Sequence, residues 1–258
     1  MQIDENARIL QIDKLTPGHE IYGFWLHSPR IAAEAAPGQT VYVRCDGKLL
    51  RRPFGVCMIR DSGIYICFEV RGEGTAWLAT RGRGDILDIM GPGGNGFDVS
   101  DTSRRAIVVG GGIGIFPLLA VAQHYAGKGA RDNITAVCGF RDESYMMLER
   151  EFAKNVTALH ITTDDGSAGT HGFATDVMRR LLDETPQSSP IIYACGPRPM
   201  MAAAAGITAR HGVRCQVSLE ERMGCGVGAC LACVCETIAG KKTVCKDGPV
   251  FEAGEIVW

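Results

Sequence analysis

An excess of charge of either sign is missing from this 258-residue sequence. Its 27 lysine and arginine residues nearly balance its 29 aspartate and glutamate residues, and the two signs are interspersed along the chain. Proteins that bind nucleic acid or anionic membranes carry a clustered basic surface. The charge pattern therefore supports neither class of partner.

A secretory leader and a membrane span are also missing. The first ten residues, MQIDENARIL, are mixed and polar, so no signal peptide is expected. The uncharged segment 106–122 is shorter than the roughly 20 apolar residues that cross a bilayer, and it contains four glycines and a proline. We expect it to form a buried strand, a glycine turn and a helix.

The G-x-G-x-x-G signature of a standard Rossmann dehydrogenase is absent as well. The segment VVGGGIGIFPLL, residues 108–119, has Phe116 and Pro117 where the third glycine would come. It nevertheless follows a strand-like run and precedes a helical one, which is typical of phosphate binding at a helix N-terminus. A glycine turn that only packs a strand against a helix would give the same pattern.

Two contrasting patterns divide the chain. Up to about residue 100, short apolar runs such as IYGFWLH and GIYICFEV are separated by turn residues, which predicts an antiparallel barrel or sandwich. From Arg105 onward, the strand-like runs AIVVG, ITAVCGF, ALHITT and PIIYACG alternate with helical stretches, which predicts a parallel sheet covered by helices. We predict three units: a barrel over 1–100, an α/β domain over 101–215 and a small cysteine-containing domain over 216–258.

Eleven cysteines are present, and a chain of this length needs no disulfides to hold a core together. Without a signal peptide, the expected location is the reducing cytoplasm, where clustered thiols are more often metal ligands or redox groups than disulfides. Four of the cysteines fall within the eleven residues CGVGACLACVC. We therefore expect a metal site in this segment.

Cys225, Cys230 and Cys233 form a C-x4-C-x2-C pattern, and Cys245 follows eleven intervening residues later. This is the spacing of plant-type [2Fe-2S] clusters, whose fourth ligand comes from further along the chain. The glycines between these cysteines permit the close backbone approach that such a loop needs. We predict these four cysteines as the cluster ligands and Cys235 as a non-ligand.

A structural zinc site is the main alternative for these thiols. Zinc sites usually pair their ligands as C-x2-C and C-x2-C, and only one such pair occurs here. With zinc, the chain would be a non-enzymatic nucleotide-binding module. Apart from the four predicted ligands and Cys235, six cysteines remain, such as Cys67 and Cys138, and these are expected to be small core residues.

Three further motifs occur in a characteristic order: RRPFG at 51–55, GEGT at 72–75 and CGPRPMM at 195–201, which we expect to end the last parallel strand. Together with the glycine-rich segment, they resemble the ferredoxin-NADP reductase superfamily, in which a flavin-binding barrel precedes a nicotinamide-binding domain. The resemblance covers nearly the whole chain. It implies that FAD is held by Arg52, Pro53, Phe54, Gly55, Gly72, Gly74 and Thr75, that the dinucleotide pyrophosphate is held by Gly111, Gly112 and Gly114, and that Cys195, Gly196 and Pro197 lie near the nicotinamide ring.

The segment SLEERMGCGVGACLACVC is the most specific motif. Preceded by LRRPF, GPGGNGF and TDDGSAGTHGFATD, it is similar to the electron-transfer subunits of two-subunit, NAD-linked dihydroorotate dehydrogenases. The resemblance implies a subunit with FAD, a [2Fe-2S] cluster and NAD that works in pyrimidine biosynthesis. It also implies a partner, the FMN-containing catalytic subunit, in a heterotetramer of two of each chain. No catalytic acid-base residue is assigned to the chain itself.

Gly55 departs from the superfamily's R-P-x-S motif, in which serine is usual at this position, so a hydroxyl contact to the flavin is missing. The residues also leave a second function open, that of an NAD(P)H-dependent flavin and iron–sulfur reductase serving an oxygenase, a sulfur-metabolising enzyme or a hydrogenase. NAD rather than NADP is implied by the resemblance only, because the sequence does not show whether Arg141 reaches a 2′-phosphate.

Overall fold

The structure, a computed structural model, describes residues 1–185 and 189–258. Its N-terminal part contains six strands: β1 (Gln2–Lys14), β2 (Ile21–His27), β3 (Thr40–Val43), β4 (Arg52–Arg60), β5 (Gly63–Glu69) and β6 (Ile86–Gly93). They form a closed antiparallel barrel in the order β1-β2-β5-β4-β3-β6. Two short helices, α1 (Pro29–Glu34) and α2 (Glu73–Ala79), lie in the connections. The predicted barrel is confirmed.

Strand β5 is buried on both faces. Ile64, Ile66 and Phe68 belong to the core inside the barrel, whereas Tyr65 and Cys67 belong to a core shared with the second domain. Successive side chains of a strand point to opposite faces, so a continuous apolar run suits a strand covered on both sides. One outer face of the barrel therefore packs directly against the next domain.

Strand β1 was not predicted, because its sequence is mixed and polar. Within it, Ala7 and Ile9 are fully buried, and most of the other residues are exposed or half-buried. The strand pairs with both β2 and β6 and thereby closes the barrel. Its polar character follows from its solvent-facing side.

The second domain is built on a seven-stranded sheet. Its strands are β7 (Ala106–Gly111), β8 (Ile134–Phe140), β9 (Ala158–Thr163), β10 (Thr170–His171), β11 (Ile191–Cys195), β12 (Cys215–Ser218) and β15 (Val250–Glu252). Its helices are α3 (Ile115–Gly127), α4 (Glu149–Asn155), α5 (Ala174–Glu184) and α6 (Arg198–His211). The order β10-β9-β8-β7-β11-β12-β15 is parallel except at β15, so the predicted parallel sheet is confirmed.

The uncharged segment 106–122 contains β7, one turn of glycine-rich helix and the first part of α3, as expected. Across residues 1–185 and 189–258, no helix is long and apolar enough to cross a membrane.

The expectation that CGPRPMM follows the last parallel strand is wrong. After β11 and helix α6, strand β12 adds a further parallel strand beside β11. Its sequence, CQVS, is short, and it buries polar Gln216 and Ser218. Buried polar groups are tolerated where they are hydrogen-bonded, and the Gln216 side chain bonds to the N–H of Asp98 and to Glu252. Because of these polar residues, β12 could not be recognised from a run of apolar residues.

The C-terminal segment is attached to both preceding parts. A hairpin of β13 (Val234–Thr237) and β14 (Gly240–Thr243) leads into helix α7 (Val244–Asp247) and then β15. Strand β15 pairs antiparallel with β12. The predicted division at 215/216 thus falls within β12, and the three-unit scheme remains a prediction.

Candidate cofactor sites

A cleft between the barrel and the parallel sheet, the flavin cleft, is lined from both sides. The barrel side contributes Pro53, Phe54 and Gly55 of β4 and Thr75 of α2, four of the residues predicted to hold FAD. The sheet side contributes Ile113, Pro117, Cys195, Ser218, Glu220 and Met223. Residues that are far apart in sequence therefore meet in one cleft, which has walls suited to a flat aromatic ring system.

The other three residues predicted to hold FAD, Arg52, Gly72 and Gly74, lie next to this cleft wall in the chain. Gly74 leaves the room that the Arg52 side chain occupies, because a Cβ on Gly74 would lie 2.3 Å from Arg52 Nε. Arg52 Nη1 donates a hydrogen bond to the carbonyl oxygen of Leu50. Among residues 1–185 and 189–258, no carboxylate forms an ion pair with Arg52. Its positive charge can therefore bind phosphate.

The turn between β5 and α2 is fixed by Thr75. Its hydroxyl oxygen accepts hydrogen bonds from the N–H of Arg71 at 2.9 Å and from that of Gly72 at 3.2 Å. Serine and threonine hydroxyls commonly satisfy the free N–H groups at such helix starts. Thr75 thus has a structural role as well as its place in the cleft wall.

Gly55 has room for a side chain. A Cβ added there would meet Pro117 at 3.5 Å, an ordinary van der Waals distance. Crowding therefore does not explain the glycine that replaces the usual serine, and the structure gives no other reason for it.

The glycine turn before α3 and the segment after β11 touch closely. A Cβ on Gly114 would lie 2.4 Å from the carbonyl oxygen of Cys195, and one on Gly196 would lie 2.9 Å from the N–H nitrogen of Gly111. Gly112 has a φ of +54° and nothing within 4 Å of its Cβ position. Gly111, Gly114 and Gly196 thus allow the contact, and Gly112 faces open space where a phosphate can approach the helix N-terminus.

A second cleft, the dinucleotide cleft, opens at the carboxyl ends of the parallel strands. Its walls are Gly111, Gly112, Gly139, Phe140, Arg141, Asp164, Phe173, Ala174, Thr175, Pro197, Pro199, Met200 and Ala203. Its volume of about 490 Å³ lies within the range of about 300–1,000 Å³ common for ligand sites. The strand order reverses between β7 and β11, and ligands of open α/β sheets bind at such a point.

The segment after β11 joins the two clefts. Cys195 lines the flavin cleft, whereas Pro197 lines the dinucleotide cleft. Three predicted residues, Cys195, Gly196 and Pro197, are thus placed where a dinucleotide in one cleft would meet a flavin in the other. Asp164 also lines the dinucleotide cleft; its segment could be only a turn, and the family resemblance alone implies a place near the nucleotide ribose or the nicotinamide. Phe173 and Met223 line these clefts as well but were not predicted, since each belongs to a segment that reads locally as a loop.

The four predicted cluster ligands lie around one loop, residues 224–233, called the cluster loop. Backbone N–H groups donate to three of the four sulfurs. Those of Val227, Ala229 and Cys230 donate to Cys225 Sγ at 3.3–3.4 Å. The N–H of Gly228 donates to Cys245 Sγ at 3.2 Å, and that of Cys245 donates to Cys233 Sγ at 3.4 Å. Such donors stabilise thiolate sulfur. The loop therefore suits a negatively charged iron–sulfur cluster.

The electrostatics of the cysteines also suit a metal. The amides of Val227 and Cys230 lower the pKa of Cys225 from 9.0 to about 6. Burial raises the pKa of Cys245 to about 12, with a further contribution from Cys233. A buried thiol of this kind becomes a thiolate when a cation is bound beside it, because a coordinating thiol is deprotonated. With iron bound, both thiols would therefore be held as thiolates.

The thiols associate in two pairs. The Cys225 and Cys230 side chains interact with each other, as do those of Cys233 and Cys245. In the described part of the chain, no three His, Cys, Asp or Glu side chains converge as they would around one metal ion. A [2Fe-2S] cluster is held by four cysteine thiolates, which is the number that these two pairs supply.

Cys235 lies outside both pairs. It is in β13, opposite Lys242, and is buried in the apolar core that the C-terminal segment shares with the parallel sheet. Burial raises its pKa, which keeps the thiol neutral and unreactive. These surroundings support its assignment as a non-ligand.

Met223 and Tyr42 lie between the cluster loop and the flavin cleft. Met223 lines the cleft, and the hydroxyl of Tyr42 donates a hydrogen bond to Met223 Sδ at 3.4 Å. A Cβ on Gly226 in the cluster loop would lie 3.0 Å from the Tyr42 ring. Neither residue was predicted, because their contact spans 181 residues of sequence. Together they pack the two cofactor sites against each other.

Comparisons with known proteins agree with this geometry. Residues 108–206 match the family model described as an oxidoreductase NAD-binding domain. Residues 220–257 match the one described as the iron-sulfur cluster binding domain of dihydroorotate dehydrogenase B. One solved structure, titled as an NADH-dependent reduced ferredoxin-NADP oxidoreductase that performs flavin-based electron bifurcation, is 33% identical, with a TM-score of 0.86. The match covers 99% of this chain and 91% of that one.

Two curated relatives carry the name "Dihydroorotate dehydrogenase B (NAD(+)), electron transfer subunit". The one from Geobacillus sp. is 42% identical over 92% of this chain and 93% of its own length. The one from Caldanaerobacter subterraneus subsp. tengcongensis is 40% identical over 86% and 87%. Identity of this extent over most of both chains shows the family. The chain belongs to the electron transfer subunits of NAD(+)-linked dihydroorotate dehydrogenase B.

Proposed function

We propose that this chain takes electrons from an FMN-containing catalytic subunit that oxidises dihydroorotate and delivers them to NAD+, as a step of pyrimidine biosynthesis. The observation that carries the proposal is the continuity of the sites. The cluster loop packs through Tyr42 and Met223 onto the flavin cleft, which meets the dinucleotide cleft at Cys195–Pro197. When bound, FAD exchanges hydride with the nicotinamide and single electrons with the iron–sulfur cluster.

The residues of the chain position these groups. Arg52 supplies a cation for the FAD phosphates, and Pro53 to Gly55 form the wall against the ring. Gly111 and Gly114 bring the glycine turn against the segment after β11, and Gly112 opens the start of α3 to the dinucleotide pyrophosphate. Amides of the cluster loop donate to the thiolate sulfurs. These assignments, with Cys225, Cys230, Cys233 and Cys245 as the iron ligands, form part of the proposal.

The catalytic subunit would dock at the cluster loop. Cys230 is exposed there, and Val227 and Leu231 are 50% and 61% exposed. Apolar side chains of this kind around a polar site are typical of protein interfaces. By family resemblance, two copies of this chain join two catalytic subunits. All eleven cysteines are free, which suits the reducing cytoplasm as its location.

The second candidate is a flavin and iron–sulfur reductase that serves another electron acceptor. The 33% identity to an NADH-dependent reduced ferredoxin-NADP oxidoreductase over 99% of the chain favours it. The two candidates share the cofactor sites and differ in the partner subunit.

The deciding experiment uses this chain co-purified with the FMN subunit from the same source. Dihydroorotate and NAD+ are added, and NADH formation is followed by its absorbance. We expect NADH to form only when both chains are present. If NADH reduces the flavin of this chain but dihydroorotate yields no NADH with the partner, the proposed function is overturned and the second candidate is favoured.

A further inference from the structure

The two clefts define which way a dinucleotide must lie. Its nicotinamide must reach the flavin cleft, on the Cys195 side of the glycine turn. The adenosine must then extend in the opposite direction, over the carboxyl ends of β8 and β9. The residues that line the dinucleotide cleft at these ends are Arg141 and Asp164.

Arg141 and Asp164 occupy matching positions on neighbouring strands. The parallel register pairs Gly139 with Thr162 and Phe140 with Thr163, so Arg141 and Asp164 follow side by side. The Asp164 N–H donates to the Phe140 carbonyl oxygen at 3.0 Å, which fixes the backbone there. In residues 1–185 and 189–258, no group forms a hydrogen bond or an ion pair with the Asp164 carboxylate or with the Arg141 guanidinium. Two opposite charges thus line the cleft without a protein partner.

The floor of the cleft near these residues contains an unsatisfied hydroxyl. Thr162 is 1% exposed, and its Oγ1 has no hydrogen-bond partner in the described chain. A Cβ added to Gly139 would lie 3.1 Å from this oxygen and 3.1 Å from the Cβ of Ala174. Both Gly139 and Ala174 line the cleft. Thr162 itself does not line the cleft, so its hydroxyl lies beneath the wall that Gly139 and Ala174 form.

We propose that Asp164 selects an adenosine ribose with a free 2′-hydroxyl and rejects one that carries a 2′-phosphate. A carboxylate accepts hydrogen bonds from ribose hydroxyls, and it repels the negative charges of a phosphate at short range. Arg141 is then a latent phosphate ligand whose attraction is cancelled by Asp164. This inference rests on the proposed function, because it concerns the adenosine end of the same dinucleotide.

The neighbouring carboxylate, Asp165, is the natural control. Its Oδ1 accepts hydrogen bonds from the Ser167 N–H at 2.9 Å and from the Ser167 hydroxyl at 2.6 Å, and it does not line the cleft. Asp164→Asn and Asp165→Asn change the net charge of the chain equally. Only Asp164→Asn removes a negative charge from the lining of the dinucleotide cleft.

The test is calorimetric binding of two small probes, 5′-AMP and adenosine 2′,5′-bisphosphate, to the purified holoprotein. The wild type should prefer 5′-AMP. Asp164→Asn should bind the bisphosphate about tenfold or more tightly than the wild type does, the scale expected when one charged contact changes. Asp165→Asn should retain the wild-type preference. Adding Arg141→Met to Asp164→Asn should abolish the gain, since the guanidinium supplies it.

The outcomes separate the two hypotheses. If Asp164→Asn keeps the wild-type preference, or shifts it no more than Asp165→Asn does, this inference is overturned and the proposed function stands. If the gain survives removal of Arg141, its role as the latent ligand is wrong. A wild-type protein that binds neither probe nor NAD+ would contradict both the inference and the proposed function.

Discussion

Two adjacent arginines at the start of β4, Arg51 and Arg52, differ in role. Arg51 Nη2 lies 2.7 Å from Asp88 Oδ2, and its Nη1 lies 3.0 Å from the Asp88 carbonyl oxygen. Arg52 donates to the Leu50 carbonyl oxygen and, among the residues that the structure describes, has no carboxylate partner. The pair therefore divides into a structural arginine and one that can bind a ligand.

The two arginines provide a matched pair of variants. We expect Arg52→Ala to lose most of its FAD on dialysis, since it removes a charge-assisted contact to phosphate, and to unfold as the wild type does when both are stripped of FAD. We expect Arg51→Ala to retain FAD and to lose about 1–3 kcal/mol of stability, because Asp88 then keeps only its longer, 3.6 Å contact with Arg44. Flavin absorbance and urea unfolding measure the two effects. Equal FAD loss in both variants would contradict the assignment.

The cysteines allow a second comparison. Cys230→Ala should abolish the cluster's visible absorbance and its electron paramagnetic resonance signal after reduction, while FAD remains bound and reducible by NADH, because the flavin cleft is lined by other residues. Cys235→Ala should keep the cluster signal, since Cys235 lies in β13, opposite Lys242 and outside the cluster loop. A cluster signal that persists in Cys230→Ala, or vanishes in Cys235→Ala, would contradict the ligand set.

Some of the site was visible in sequence and some was not. The ligand cysteines could be predicted because a cluster imposes a fixed local spacing. Tyr42 and Met223 could not, since their contact depends on how the barrel and the cluster loop meet. The residues around Asp164 showed only a turn, and the family resemblance implied a place near the nucleotide; the position of Asp164 beside Arg141 comes from the register between β8 and β9.

At the scale of elements, the linker after β6 is tied to the far edge of the sheet by Arg214. Its Nη1 lies 2.8 Å from Asp98 Oδ2, and its Nη2 lies 2.6 Å from Glu252 Oε1 in β15. Hydrogen bonds from Ser100 and then from Arg214 lower the pKa of Asp98 to about 2. This network joins three segments that are distant in sequence.

The shift of Asp98 predicts a pH dependence. Because the folded pKa is below the unfolded one, near 4, the carboxylate stabilises the fold above that pH and loses this effect as pH falls toward 2. We expect Arg214→Met to move acid unfolding to higher pH and to cost about 1 kcal/mol or less at pH 7, as the groups are partly exposed. Arg210→Met, an exposed arginine on α6, is the control. Circular dichroism during acid titration measures both, and identical curves would contradict the role of the network.

Elements with clear periodicity or apolar character were predicted, and those with mixed character were missed. Strand β5 and the β7 to α3 unit follow directly from apolar runs and a glycine turn. Strand β1 is largely polar, and β12 buries Gln216, whose amide is satisfied only by residues brought there by the fold. A single strand cannot show, from its own sequence, that such partners exist.

At the scale of the whole molecule, an exposed leucine in the cluster loop can be compared with an exposed leucine of the barrel that lies away from this loop. Leu231 is 61% exposed in the cluster loop, and Leu10 is 43% exposed in β1. The end of β1 near Ile3 pairs with Met90, which lies 3.0 Å from a Cβ on Gly226. Leu10 follows Ile3 by seven residues in β1, which places it about 23 Å from Ile3 at the usual rise per residue of a strand.

These two leucines test where the catalytic subunit docks. Leu231→Glu should weaken co-purification with the FMN subunit by at least about tenfold, since it places a charge in the apolar contact. FAD content and the cluster spectrum should remain. Leu10→Glu should assemble as the wild type does. Gel filtration of the complex measures assembly, and equal behaviour of the two variants would argue against docking at the cluster loop.

The pairing of β15 with β12 has a consequence for how the chain is made. Residues 250–252 are the edge strand of the dinucleotide sheet, so a ribosome-bound chain that lacks them presents β12 as an open edge, which invites wrong pairing. A chain truncated before residue 250 would lose this cover together with the antiparallel pairing of β12 and β15.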